Sequence, residues 1–411
     1  MSVNGTETSS RRTPGAGRAL SVLAGSLVLA MTTWFSASAV IPQLRAAWDL
    51  SDTGAAWLTI AVQLGFVTGA LLSALLTLSD VVRPQVLICA GALGAGTVNL
   101  LLVVAGGAEL GIPLRFLTGA FLAGVYPPAL KLMAAWFVRG RGVALGILVG
   151  ALTLGSAVPH LVNGLGGLEW RVVIYATTGL TILGGLLVLV LVSDGPFPFP
   201  KAVFDITQAR RVMGDRGVRL TSLGYFGHMW ELYAMWAWFL VFFRAHLEAS
   251  GGASERAASY VTFLVIGIGA VGCLFGGVLG DRWGRTRTTA ASMIVSGACA
   301  LAIGFLFGAP TWVVVVVGSL WGVAVVADSA QFSTMVTELA DQAYVGTALT
   351  LQLALGFTLT VATIWLVPLV ETIVGWRWAF AVLLPGPIVG AAAMFRLLAS
   401  PYSAQIAGGR G

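Results

Sequence analysis

Charge is scarce in this chain. Only 10% of its 411 residues are charged, whereas an ordinary soluble domain carries about 25%. With 57% hydrophobic residues and a mean hydropathy of +0.91, a water-soluble fold of this size is excluded. Lysine is scarcest of all: two stand against 21 arginines, a bias that fits a GC-rich bacterial genome. The net charge of +6 is explained by membrane topology rather than by a nucleic-acid partner. Cysteine is rare too. Cys89, Cys273 and Cys299 lie inside apolar runs, so no disulfide framework or metal site is expected, and the three read as small core residues. There is no HExxH zinc motif, nucleophile elbow or nucleotide-binding glycine loop, and no Thr-Val-Gly-Tyr-Gly filter. These absences argue against a membrane-embedded enzyme, an ATP-driven pump and a pore, and no cofactor is expected.

What the chain has in quantity is apolar runs. A helix needs about 20 residues to cross roughly 30 Å of hydrocarbon. Twelve such runs can be drawn, at 19–41, 54–78, 85–105, 111–137, 141–165, 171–193, 219–243, 256–280, 288–308, 311–337, 342–371 and 375–398. Between the sixth and seventh lies a polar segment from Ser193 to Arg219, with Pro196, Pro198, Pro200 and an amphipathic-looking stretch from Asp205 to Met213. The expected fold is an all-α integral membrane protein, twelve transmembrane helices in two pseudo-symmetric six-helix bundles. The bundles are 1–193 and 219–411, joined by a cytoplasmic linker at 194–218. Asp80 answers Asp281, Gly155 answers Gly356 and Trp170-Arg171 answers Trp376-Arg377 at a nearly constant offset, the mark of an internal duplication.

Arginine sets the topology. With both termini cytoplasmic, sixteen of the 23 Lys and Arg face the cytoplasm. Six face outward, namely Arg45, Arg115, Arg171, Arg244, Arg256 and Arg377, and Lys131 falls within a run. The bias follows the positive-inside rule. The polar stretch Met1 to Arg18 precedes an apolar run with no small-residue cleavage site, so the first helix is expected to be retained. The sequon Asn4-Gly-Thr6 then lies on the cytosolic side and reads as chance.

One charged turn stands between two apolar runs: Gly277-Val-Leu-Gly-Asp281-Arg282-Trp-Gly284-Arg285-Thr-Arg287. Its glycines let two helix ends approach, and Asp281 can pair with an arginine or cap a helix. The pattern resembles the signature loop between helices 8 and 9 of major facilitator superfamily (MFS) transporters. A partial copy from Leu76 to Pro84 keeps Asp80 and Arg83 but lacks both glycines. Arg115-Phe-Leu-Thr-Gly119 resembles the Arg-x-x-x-Gly start of helix 4 in that family. Tyr126-Pro-Pro-Ala-Leu-Lys131, through Trp136-Phe137 to Arg141-Gly142, resembles the helix 4 to helix 5 passage of its bacterial organic-anion, cyanate and nitrate-type members. Gly146, Gly155 and Pro159 overlap with the family's drug-antiporter motif but depart from it at Pro159-His160, where Gly-Pro is required. These glycines, with Gly150, also suit close helix packing. The resemblance implies two bundles alternating access around a midplane site. It gives Asp80, Arg83, Gly277, Asp281, Arg282, Gly284 and Arg285 to a loop that braces the cytoplasmic gate. A monomer in a bacterial inner membrane, carrying a small molecule, is expected.

A charge in hydrocarbon costs at least about 2.5–3.5 kcal/mol, so it faces a cavity or a partner. Lys131, expected to be the sole buried Lys or Arg, either meets an anionic substrate or snorkels to the interface. His228 and Glu231 are three apart on one helical face. They suit proton coupling, since each can change charge in a suitable environment; the alternative is a mutually satisfied pair. Asp328 and Gln331 share a face likewise, Asp328 as a proton carrier or counter-charge to Lys131 and Gln331 as a substrate contact. Trp34 and Tyr126 are the aromatic candidates for a substrate pocket. His160 is expected at the outer rim, and Glu338 and Asp341 at a turn where they cap or pair. The expected activity is secondary active transport of a small solute, an organic or inorganic anion, coupled to protons. A proton-driven drug or metabolite exporter is the alternative.

Overall fold

The computed structural model describes residues 14–137, 141–165, 169–197, 206–252, 254–341 and 344–411, and among these every regular element is helical. In chain order they are α1 (Ala16–Ala30), α2 (Ile41–Trp48), α3 (Asp52–Leu75), α4 (Pro84–Val104), α5 (Ala108–Ala134), α6 (Gly142–Leu165), α7 (Trp170–Leu191) and α8 (Arg216–Ala249). There follow α9 (Glu255–Trp283), α10 (Arg285–Phe305), α11 (Thr311–Leu339), α12 (Val345–Val374) and α13 (Trp376–Leu398). Sequence punctuation sets their starts. Ser51 accepts from the Gly54 N–H ahead of α3, Asp215 from Val218 ahead of α8, and Ser254 from Ala257 ahead of α9, each satisfying a donor that a helix start leaves open.

Ten of these helices, α3 to α7 and α9 to α13, are long and apolar enough to cross a membrane. Twelve spans are expected, and two of the twelve runs differ from these ten helices. The first apolar run is not one helix: α1 ends at Ala30, residues 31–37 form successive turns, and Ser38–Val40 is a 3-10 turn leading into α2. Its sequence explains the break. Thr32 Oγ1 donates to the Leu29 carbonyl and Ser36 Oγ to the Thr33 carbonyl, so local side chains compete for the acceptors a helix would use. The second is α8, which is long enough at 34 residues but whose Trp, Tyr, His and Glu side chains make it less apolar than the ten.

Polarity runs from the inside out. Val190, Val316, Phe275 and Ile373 are exposed, while Arg115, Asn99, Gln63, Glu231 and Asp328 are buried. That is the distribution expected where the surrounding solvent is hydrocarbon. Glycines set the tightest seams. A Cβ at Gly119 of α5 would overlap the Val62 carbonyl of α3, and one at Gly322 of α11 would overlap the Val265 carbonyl of α9. The same close approach thus recurs in the first and second halves of the chain. The halves meet where α6 packs along α9 and α3 along α12. All three cysteines are buried. In the linker, Ala209–Gly214 forms a short helix whose Val212 packs with Val336 and Ala348; residues 198–205 lie outside the described part.

Candidate functional site

The break in the first run exposes backbone carbonyls that only another group can satisfy. Arg115 of α5 supplies the donors. Its guanidinium, fully buried, donates to the Thr33 carbonyl at 2.9 Å, to the Trp34 carbonyl, to Ser36 Oγ at 3.1 Å and to the Leu58 carbonyl at 3.4 Å. Asn99 of α4 receives Ser36 Oγ at 2.6 Å and in turn donates to Thr177 and Thr178 of α7. Arg115 was expected on the outer face and Lys131 was expected to be the sole buried base. The second expectation is corrected: Arg115 sits inside the protein, Arg285 is 7% exposed, and Lys131 is only half-buried. A fork of five N–H donors is what lets an arginine stay there, because it spreads over several acceptors at once.

Beside the break lies an aromatic cluster drawn from both halves. Trp34 lies against Phe66 of α3, Tyr233 of α8 and Phe357 of α12 at centroid distances of 4.7, 5.9 and 5.7 Å, stacked on Tyr233 and tilted to the other two. Phe35 lies 5.7 Å from Trp236. Residues 30–41 and 231–240 are buried on every side. On the side of the cluster toward α2, Asn163 of α6 donates to the Ala39 carbonyl and to Ser259 of α9, both at 3.0 Å. These bonds join the segment before α2, α6 and α9 on the face away from the signature loop. Around the break, several buried polar groups have no hydrogen-bond partner: the indole N–H groups of Trp34 and Trp236, both amide atoms of Gln63 and both ring nitrogens of His160. Elsewhere indoles are paired, Trp238 with the Ile364 carbonyl and Trp230 with that of Val382. His160 is fully buried, which corrects its expected place at the rim.

The acids sit on the second half. Glu231 of α8 takes one hydrogen bond on each oxygen, from Trp321 Nε1 at 2.6 Å and from Ser296 Oγ at 2.9 Å. Both donors are neutral. His228 does not pair with Glu231. Its Nδ1 lies 2.8 Å from Asp328 Oδ1, and its Nε2 lies 2.9 Å from Ser329 Oγ. Asp328 marks the point where α11 is interrupted between Ala327 and Ser329, so an acid and a helix break coincide. Tyr225 and Phe332 flank the imidazole. Tyr126 is half-buried and opens the second segment of α5 after an interruption at 123–125.

Gln331 goes elsewhere than to Asp328. Its Nε2 donates to the Gly276 carbonyl and its Oε1 accepts from Arg285, which places it with the signature loop. There Arg285 bonds Glu338 through Nε and Nη2 at 3.1 Å and lies 3.1 Å from Asp281. Arg285, not the exposed Arg282, carries these ion pairs. Gly284 has φ +108°, which only glycine adopts freely, and Gly277 faces Gly142 of α6. In the partial copy Arg83 lies 3.7 Å from Asp194; the side chain of Asp80 lies outside the described part. Arg115's burial, Asn99, Gln63, Ser296 and Trp321 escaped the sequence reading. The amides in otherwise apolar runs were the available signal.

Helices interrupted within their span, with buried polar side chains at the breaks, recur in helical carriers. Residues 23–351 match the family model described as Major Facilitator Superfamily, and the chain belongs to that family. It is similar to "Uncharacterized transporter ESBP6" of Saccharomyces cerevisiae, 24% identical over 196 residues, which are 44% of this chain and 28% of the yeast protein. It is also similar to "MFS transporter asaE" of Aspergillus flavus, 28% identical over 185 residues, 44% of this chain and 40% of that one. The matches thus span less than half the length of these relatives. Among solved structures it resembles a bacterial homolog of the human lysosomal transporter Spinster in an inward-facing, unoccupied conformation. The TM-score is 0.64 at 15% identity, with 97% of each chain covered, a likeness of fold alone.

Proposed function

We propose that this protein moves a small solute by alternating access of two six-helix bundles, residues 1–193 and 219–411, driven by protons. In this reading the broken run 16–48 and α8 complete twelve crossings, and both termini and the signature loop face the cytoplasm of a bacterial inner membrane. The protein acts as a monomer. The observation that carries the reading is Glu231, a buried carboxyl whose two oxygens are held by two neutral donors, Trp321 Nε1 and Ser296 Oγ. A carboxyl so placed can accept a proton without breaking an ion pair, while His228 and Asp328 beside it form a second titratable pair. Reconstitution in proteoliposomes tests it: an imposed pH gradient drives uptake in the native protein, and Glu231→Gln abolishes the drive while leaving solute counterflow. Uptake indifferent to the gradient in the native protein would sink proton coupling.

Two substrate readings follow from different residues. Half-buried Lys131 supports a small organic or inorganic anion. Unchanged anion affinity in Lys131→Ala would remove that support. The unpartnered Gln63, His160, Trp34 and Trp236 around the aromatic cluster support a neutral polar solute with an aromatic or apolar body, held by stacking and by uncharged hydrogen bonds. Gln63→Met then weakens binding and Lys131→Ala does not.

A further inference from the structure

The segment after α13 does not leave the protein. From Ala399 it turns back over the loop face of the second half, and its contacts converge on the signature loop. Ile406 is fully buried in a cluster with Leu220, Met293, Phe332 and Met335. The Ala407 N–H donates to Glu338 Oε2 at 3.3 Å, the carboxylate that already holds Arg285. The Thr286 N–H donates to the Gly411 carbonyl at 3.2 Å. Thr286 is in the first turn of α10, where a helix has no internal acceptor to offer its N–H groups. Arg410 donates to the Asp281 carbonyl. A Cβ at Gly284 would overlap the Arg410 carbonyl, so the turn between α9 and α10 is shaped to receive the segment.

These contacts tie the loop-face ends of α9, α10, α11 and α13 into one body. The same body holds the seam to the first half. A Cβ at Gly142, in the first turn of α6, would lie 3.4 Å from Asp281 Oδ1, so the Asp281 carboxylate faces the positive end of that helix. Arg410 fixes the backbone of Asp281, and Arg285 fixes its side chain from a position that Glu338 and Ala407 hold. We infer that residues 399–411 form a strap that keeps Asp281 set against the start of α6, and so governs how readily α6 and α9 part on the loop face. Releasing the strap frees Glu338 and the Asp281 backbone together, and the seam opens more often.

The test uses the full chain in lipid nanodiscs. Hydrogen exchange is followed at 284–288 and 402–411. In parallel, the reaction of a soluble maleimide is timed at Gly277→Cys, in a background with Cys89, Cys273 and Cys299 changed to Ala. A Cβ at Gly277 meets only ordinary contacts with α6, so the thiol reports the α6–α9 gap. Ile406→Asp is expected to raise exchange in both segments at least about tenfold and to speed labelling at position 277 by a similar factor. Arg410→Ala, a change at an exposed side chain, is expected to speed labelling severalfold with helix interiors unchanged. Exchange that rises in the strap while labelling at 277 stays at its native rate, in either variant, would overturn the inference. So would fast native exchange at Thr286 and Ala407. The alternating-access reading stands or falls separately, on solute counterflow.

Discussion

Away from the signature loop, where Arg285 is buried against Asp281 and Glu338, the two halves of the chain bury opposite kinds of charged residue and treat them differently. In the first half the buried residue is Arg115, and its guanidinium is spent on the Thr33, Trp34 and Leu58 carbonyls and on Ser36. In the second half the buried acids are Glu231 and Asp328, the first met by two neutral donors and the second by a histidine. A cation that satisfies backbone opened by a helix break is architecture: removing it leaves several acceptors bare. A carboxyl with only hydroxyl and indole donors loses little by taking up a proton. The difference teaches which buried charges hold the fold and which are available for work.

The comparison can be broken most directly at Arg115. Arg115→Ala is expected to destabilise the protein by at least about 3 kcal/mol, seen as loss of monodisperse protein or a large fall in Tm. Arg115→Lys should not rescue it, because one ammonium cannot span the acceptors of the broken segment and of α3 at once. A stable, folded Arg115→Ala protein would erase the distinction between the halves.

Next come the glycine seams, which the halves share. Gly119→Ala and Gly322→Ala each drive a methyl into a facing carbonyl. Each should cost about 1–3 kcal/mol by thermal unfolding. Unequal responses would show that the two seams are not equivalent. Glu231→Gln sharpens the functional side. Uptake driven by a pH gradient should fall at least about tenfold, about 1.4 kcal/mol, with Tm little changed.

Smaller effects mark the limits. Asp52→Asn removes an exposed pair with Arg45 on the far face and should cost about 0.2–1 kcal/mol. Gln63→Met should leave Tm unchanged or raise it slightly, since no hydrogen bond in the protein is lost. A marked fall in Tm would mean that Gln63 is structural rather than a solute contact.

Much of the architecture was legible in the chain. The ten apolar helices overlie the runs drawn from composition, because hydrocarbon imposes length and apolarity on any segment that crosses it. The signature loop was legible as well, since its charges interrupt apolar sequence. The site was less so. His228 and Glu231 share a helical face, yet they serve different partners on α10 and α11. Asp328 and Gln331 share one too, yet Gln331 turns to Arg285. Spacing along a helix says which side chains lie together and not what stands opposite.

By itself, the sequence determined that this protein lives in a bilayer, as helices joined by short charged turns, because scarce charge and long apolar runs leave no other solvent for it. Tertiary structure alone decided that Arg115 comes from another helix to meet the carbonyls freed where Thr32 and Ser36 interrupt the first run. It also decided that residues 399–411 return to the signature loop. These are contacts between segments far apart in the chain, and a buried polar group is explained only by the neighbour that satisfies it.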